Sequence, residues 1–151
     1  MDIQQLKQLK ILLIGDSCTD VYNYGICERI SPEAPVPVLK TLKRENKPGM
    51  AKNVKTNLEG FGHQVLLLTN EEQIVKERFV DQRTMQHLLR VDSGENAKVK
   101  PLQYEQVENL EFEYDCIVIS DYNKGFISDK HCADILKKIN KKNMLVFVDS
   151  K

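Results

Sequence analysis

The sequence predicts an α/β domain built on a mostly parallel sheet, with a small β arm beside it. Three observations carry this. Short apolar runs recur at 11–14, 65–69, 114–120 and 144–148, too short for lone buried helices and rich in residues that suit parallel strands. Helical periodicity appears between such runs, from near Met50 to Gly60 and from Ser128 to Asn140. Three of the runs end in a carboxylate, Asp16, Asp121 and Asp149. The ends of parallel strands share one edge, and ligands bind outside that edge in open α/β sheets.

Bulk properties narrow the classes. A chain of 151 residues can bury a real core as one domain. Its 22 basic and 22 acidic residues cancel, and no charged block points to nucleic acid or to an anionic membrane. No apolar run approaches membrane-spanning length, and MDIQQLKQLK lacks a signal-peptide core, so a soluble, cytoplasmic protein is expected. Cys18, Cys27, Cys116 and Cys132 form no CxxC pair and read as reduced structural thiols. His63, His87 and His131 are scattered without ligand spacing, and no metal site is expected from them.

In chain order, residues 2–9 form a short polar lead in which Leu6 and Leu9 can pack. The strand ILLI follows, and Gly15 lets the backbone leave it. From Val21 to Asn46 the character changes, with Tyr22 and Tyr24, then Pro32, Pro35 and Pro37. Proline excludes a helix interior or a central strand, and the apolar positions Val36, Val38, Leu39 and Leu42 suggest an edge strand. This region reads as a lid or arm leaving the main sheet, or as an ordinary surface loop of unusual length. After Pro48 and Gly49 a helix carries Ala51, Val54 and Leu58 on one face, ended by Gly60 and Gly62. Its first turn places Lys52 and Asn53 at an end with free backbone N–H groups. A second buried strand covers Val65–Thr69. Beyond it, 78–80 and 88–91 read as the arms of a hairpin, with a helix over 84–89 as the competing assignment. Residues 93–113 are polar, with a short helix over 104–110. The last third gives strand, helix and strand, with Ser128 as N-cap and Cys132, Ile135, Leu136 and Ile139 as the apolar stripe. Such a unit should be a right-handed crossover.

The strand-end aspartates, with Asp20, can accept hydrogen bonds from hydroxyl-rich ligands, hold Mg²⁺ through water, or act as a base. Singly, each also suits a turn or a helix cap. Lys124, in DYNKG, could meet a phosphate or lie solvated. There is no GxGxxG, no GxxxxGK[ST], and no Ser/His/Asp or Cys/His arrangement.

Taken in order, GDxxxD, RISPEAPVPV, PGMAKNV, LLRVD, SDYNKG and VDSK resemble the PfkB/ribokinase family of carbohydrate kinases over residues 10–151. RISPEAPVPV is specific to the subgroup that phosphorylates D-glycero-β-D-manno-heptose 7-phosphate in ADP-heptose synthesis. The resemblance implies a ribokinase-like three-layer α/β sandwich, here its N-terminal half as a single truncated domain over 1–151. It implies a β lid from 22–46 and 78–91 that covers the sugar and often pairs subunits into a homodimer. Asp20 would hold sugar hydroxyls, while Gly49, Asn53 and Lys52 line the sugar pocket. Asp121, Lys124 and Asp149 would form a phosphate or metal rim. ATP and Mg²⁺ would be the cofactors, and a phosphorylated sugar the substrate.

Departures from the family pattern are specific. Met50 replaces the second glycine of the family's PGG, Lys52 stands where a small residue is usual, and a helix and strand expected between Thr69 and Lys76 are missing. The chain reaches only Lys151, so the glycine-rich anion hole, the catalytic aspartate and most of the ATP pocket are expected in a missing C-terminal half, with no turnover by this chain alone. The rival expectations are a non-catalytic sugar-phosphate-binding protein, one half of a split kinase completed by a second chain, and, from the acidic pocket and lysine alone, a receiver-like phosphoacceptor.

Overall fold

The computed structural model describes residues 7–95, 98–108, 110, 113–127, 133, 137 and 144–151. The residue 2–9 lead falls largely outside these, as does almost all of the helix expected over Ser128–Asn140. Two four-stranded sheets make up the fold. The central sheet contains β1 (Lys10–Gly15), β4 (Gln64–Leu68), β7 (Cys116–Asp121) and β8 (Leu145–Ser150), in the order β4-β1-β7-β8. Every pairing in it is parallel. The second sheet contains β2 (Ser17–Ile30), β3 (Pro37–Met50), β5 (Val75–Asp81) and β6 (Gln86–Ser93), in the order β3-β2-β5-β6. Two helices are described, α1 (Ala51–Gly60) and α2 (Tyr104–Glu108).

The apolar runs became the central sheet because they can be covered on both faces. Leu12, Leu13 and Ile117 are fully buried, and Ile11, Ile14 and Ile119 nearly so. The Val65–Thr69 strand is less buried than its composition suggests, since β4 is an edge and Val65–Leu68 are half-covered. At the other edge β8 leaves Leu145, Phe147 and Val148 exposed among the described residues. The register sets Gly15 beside Ser120 and Ser120 beside Asp149, which brings the three carboxylate-bearing strand ends to one rim.

A single residue separates the sheets. β1 ends at Gly15, β2 begins at Ser17, and Asp16 between them is fully buried. Along β2 the side chains alternate. Val21, Asn23 and Gly25 are buried, while Tyr22, Tyr24 and Asp20 lie on the opposite face and are partly covered. The strands of this sheet run beyond 22–46 and 78–91, because backbone pairing continues through charged positions such as Asp20 with Lys47 and Lys76 with Asp92. β3 holds two prolines, Pro37 and Pro48, and can do so as the edge strand. β5 and β6 form the antiparallel hairpin, so the helix alternative over 84–89 is not what the chain adopts. α2 is shorter than the 104–110 expectation.

One amide ties the junction to the segment after β4. Asn70 follows β4 and is buried. Its Oδ1 accepts from the Ser17 N–H at 2.7 Å, and its Nδ2 donates to the Ser17 carbonyl at 3.3 Å and the Glu72 carbonyl at 2.7 Å. The side chain thereby acts as a strand partner where no strand reaches. Asn70→Ala should lower stability by about 3 kcal/mol, since it strands a buried N–H and its neighbouring carbonyls. Urea unfolding measures this, and a loss below about 1 kcal/mol would show that the junction is held elsewhere.

Candidate substrate site

Between the rim of the central sheet and one face of the second lies a cavity of about 470 Å³. Strand register explains its chemistry. Asp20 pairs with Lys76 across β2 and β5, and Tyr22 with Arg78. Across β5 and β6, Lys76 pairs with Asp92 and Arg78 with Arg90. All of these sit on one face of the sheet by the period of two. Lys76, Arg78, Arg90, Lys124 and Lys151 line the cavity against one carboxylate, Asp20.

Asp20 Oδ1 accepts from Arg78 Nη1 at 2.6 Å. The guanidinium in turn lies over the Tyr22 ring, 5.0 Å from its centroid, and Lys47 lies 5.1 Å from the same ring. Gly49 is the neighbour that makes room. A Cβ built there would stand 2.5 Å from Asp20 Oδ2 and 2.5 Å from Cys18 Sγ, so any side chain pushes the carboxylate aside. The next residue, Met50, holds φ 55° and ψ −131°, angles that suit glycine, and its buried side chain joins the core. Strain of this kind is worth about 1–3 kcal/mol. Asn53, in the first turn of α1, also lines the cavity.

The rim is built from backbone. Asp16 accepts three loop N–H groups, from Tyr122 at 3.0 Å and Lys124 at 3.1 Å on Oδ2, and from Phe126 at 3.2 Å on Oδ1. Its carbonyl accepts from the Ala51 N–H at 2.9 Å, at the start of α1. Asp16 therefore organises the loop after β7 and the helix start, and it is not a cavity-lining group. Lys151 Nζ lies over the Tyr122 ring at 4.7 Å.

Of the residues singled out in the sequence, Asp20, Gly49, Asn53 and Lys124 converge on the cavity. Lys52 is exposed and outside its lining. Asp121 lies on the rim but is engaged, accepting from the Asn123 N–H at 2.8 Å and from Ser150 Oγ at 3.0 Å. Asp149 is exposed and outside the lining. The sequence reading passed over Lys76, Arg78, Arg90, Tyr122 and Lys151. Arg90, Tyr122 and Lys151 lie inside the LLRVD, SDYNKG and VDSK motifs, and the two-residue spacing of Lys76 and Arg78 marks one strand face. Among the described residues no three His, Cys, Asp or Glu side chains come together as a metal-binding group.

Charge pairing orders the cationic wall. Arg90 donates to Asp92 through Nε at 2.7 Å and Nη2 at 2.6 Å, and this grip, aided by Lys76, holds the Asp92 carboxyl at about 2. Burial opposes the charge of Lys76, but its pairs with Glu95 and Asp92 outweigh that and raise its pKa above the usual lysine value. Glu95 is lowered by Lys76 and then by Lys124.

No family model matches the chain. The bifunctional protein HldE of Campylobacter jejuni subsp. doylei is 35% identical over 167 residues, covering 94% of this chain and 36% of that protein. HldE of Campylobacter curvus is 31% identical over 177 residues, with 96% and 37% covered. HldE of Helicobacter acinonychis is 34% identical over 173 residues, with 94% and 37% covered. The chain thus spans little more than a third of these relatives. Among solved structures, the tetrameric inhibited form of phosphofructokinase-2 from Escherichia coli superposes with a TM-score of 0.53 at 13% identity, over 95% of this chain and 55% of that one. Ribokinase of Arabidopsis thaliana complexed with ribose and ATP gives 0.51 at 11% identity, over 95% and 54%. These likenesses show a ribokinase-like fold.

Cys18 offers a direct probe of the cavity wall. Burial, then the charge of Asp20, pushes its thiol up to about 11, so at pH 8 only about one molecule in a thousand carries the reactive thiolate. Iodoacetamide at pH 8 should therefore label the half-exposed Cys27 well before Cys18, with Cys18 labelling accelerating as pH rises towards 11. Peptide mass spectrometry reads both rates, and equal labelling would contradict the closed wall.

Proposed function

We propose that this chain, whose fold is ribokinase-like, is of the PfkB/ribokinase family and that its cavity holds a phosphorylated sugar, as the sugar side of a heptose 7-phosphate kinase. One observation supports this above the others: a single carboxylate stands in a cavity lined by five basic side chains. Asp20 accepts hydrogen bonds from sugar hydroxyls, on a carboxylate oriented by Arg78. Gly49 leaves that carboxylate in place and Asn53 adds an amide to the same wall. The surplus of cations matches an anionic substituent on the sugar, with Arg90, Lys76 and Lys124 as its partners. The second sheet serves as the lid over the sugar. Lys52, Asp121 and Asp149 are left out of the binding set, because they do not line the cavity.

Phosphoryl transfer needs nucleophile, nucleotide phosphates and metal positioned together. ATP and Mg²⁺ would supply the transferred group and its charge neutralisation. The described residues offer no metal-binding group of three. Binding of the sugar is the part of the reaction that the cavity itself supports. Calorimetry should show that the chain binds heptose 7-phosphate and binds the unphosphorylated heptose more weakly. Asp20→Ala should weaken the first about a hundredfold, or about 3 kcal/mol, for the loss of charged hydrogen bonds. No heat with any sugar phosphate would overturn the reading, and ATP-dependent phosphorylation by residues 1–151 alone would overturn its restriction to binding.

A second reading, completion by another polypeptide chain, is favoured by the β8 edge, where Leu145, Phe147 and Val148 are exposed. The outer side of the second sheet exposes Leu42, Leu89 and Val91 and is the face that fits a homodimer instead. Sedimentation should report a dimer that Leu89→Lys dissociates if the lid pairs two copies. A monomer that the variant does not change would leave β8 as the contact surface.

A further inference from the structure

Glu95 is outside the cavity lining, yet it touches both lysines of its wall. Its Oε1 lies 2.6 Å from Lys76 Nζ and 2.9 Å from Lys124 Nζ. The two ammonium groups come from different sheets, Lys76 from β5 and Lys124 from the loop after β7. One carboxylate oxygen therefore sets two cations beside each other across the mouth between the sheets. The backbone behind each partner is fixed. Lys124 is held through its N–H by Asp16, and Lys76 lies on a strand paired on both sides. Glu95 is aimed by the turn after β6, where Gly94 takes φ +80° and a Cβ would fall 2.0 Å from the Gln73 carbonyl oxygen. No residue with a side chain fits that turn unchanged.

We propose that Glu95 is a positioning residue, which holds Lys76 and Lys124 side by side as the receptor for the anionic group of the ligand. This rests on the phosphorylated-sugar reading of the cavity. Two opposed effects fix the sign of the test. Removing the charge of Glu95 makes the cavity more positive, which by charge alone tightens anion binding. Removing it also frees two long side chains, whose ordering must then accompany each binding event. Lys76 in addition retains Asp92 at 3.3 Å as its remaining partner, which draws it from Lys124. Positioning predicts weaker binding, and charge counting predicts tighter binding.

The experiment compares the full chain with Glu95→Gln, by calorimetry with heptose 7-phosphate and with unphosphorylated heptose. The expected result is about a tenfold loss of affinity for the phosphorylated sugar, the size of one charge-assisted hydrogen bond, with the unphosphorylated sugar unaffected. Adding Glu95→Gln to a Lys76→Gln/Lys124→Gln background should cost nothing further, because Glu95 acts through those lysines. Tighter binding, unchanged binding, or an equal loss for both sugars would overturn the proposal. Lysine side-chain NMR supplies a readout that needs no sugar. The Cε signals of Lys76 and Lys124 should move towards free-lysine positions in Glu95→Gln, and unmoved signals overturn the proposal on their own. If the wild-type chain binds neither sugar while those signals move, it is the phosphorylated-sugar reading that fails, and the hold of Glu95 on the lysines stands.

Discussion

The buried carboxylate of Asp16 is the constraint on which the arrangement depends. It sits where one sheet hands the chain to the other, with no exposure to solvent. A charge there is tolerable only if its lone pairs are filled, and three N–H groups of the loop after β7 fill them. The same residue receives the Ala51 N–H through its carbonyl, so the start of α1 is tied to the same point. Three segments distant in sequence thus share one anchor. Cavity, rim and helix start are positioned by it, and Asp20, not Asp16, is the carboxylate that lines the cavity.

Around that anchor the two sheets divide the labour. The central sheet is apolar on both faces and gives a fixed edge. The second sheet is thin and amphipathic, and its charged face is ordered by pairing of residues two apart on neighbouring strands. Tyr22 carries cations over its ring, and Asp92 and Glu95 keep Arg90, Lys76 and Lys124 from adopting many rotamers. The wall is strongly basic without being a loose cluster of like charges.

The parts legible in the sequence were those governed by local rules. ILLIG, CIVIS and LVFV are apolar enough to announce a parallel sheet, and the helix after Gly49 shows its period within three turns. The second sheet was legible in part as a proline-bearing β excursion, but its bounds were not. β2 and β3 are each 14 residues long and largely polar, so Cys18–Asp20 and Lys47–Met50 look like loop until they are seen to pair. Asp20, Gly49 and Asn53 were marked by motif and spacing. Lys76, Arg78 and Arg90 were not, because strand alternation names a face only once the register between β2, β5 and β6 is known. Lys52 and Asn53 are adjacent in sequence and both exposed, and only the direction of α1 puts Asn53 in the cavity wall and leaves Lys52 out of it.

Tyr122, lying in the cavity wall beneath Lys151, has an optical consequence. The chain contains no tryptophan, so its near-ultraviolet absorption and emission come almost wholly from five tyrosines. Tyr22 lies under the guanidinium of Arg78 and stacks on Tyr24 at 6.0 Å, and Tyr122 stands in the cavity wall under an ammonium group. Tyr122 thus lines the site itself, and Tyr22 adjoins it through the cavity-lining Arg78. Whatever enters the cavity changes the surroundings of Tyr122 directly, and the protein carries its own label-free spectroscopic reporter of occupancy.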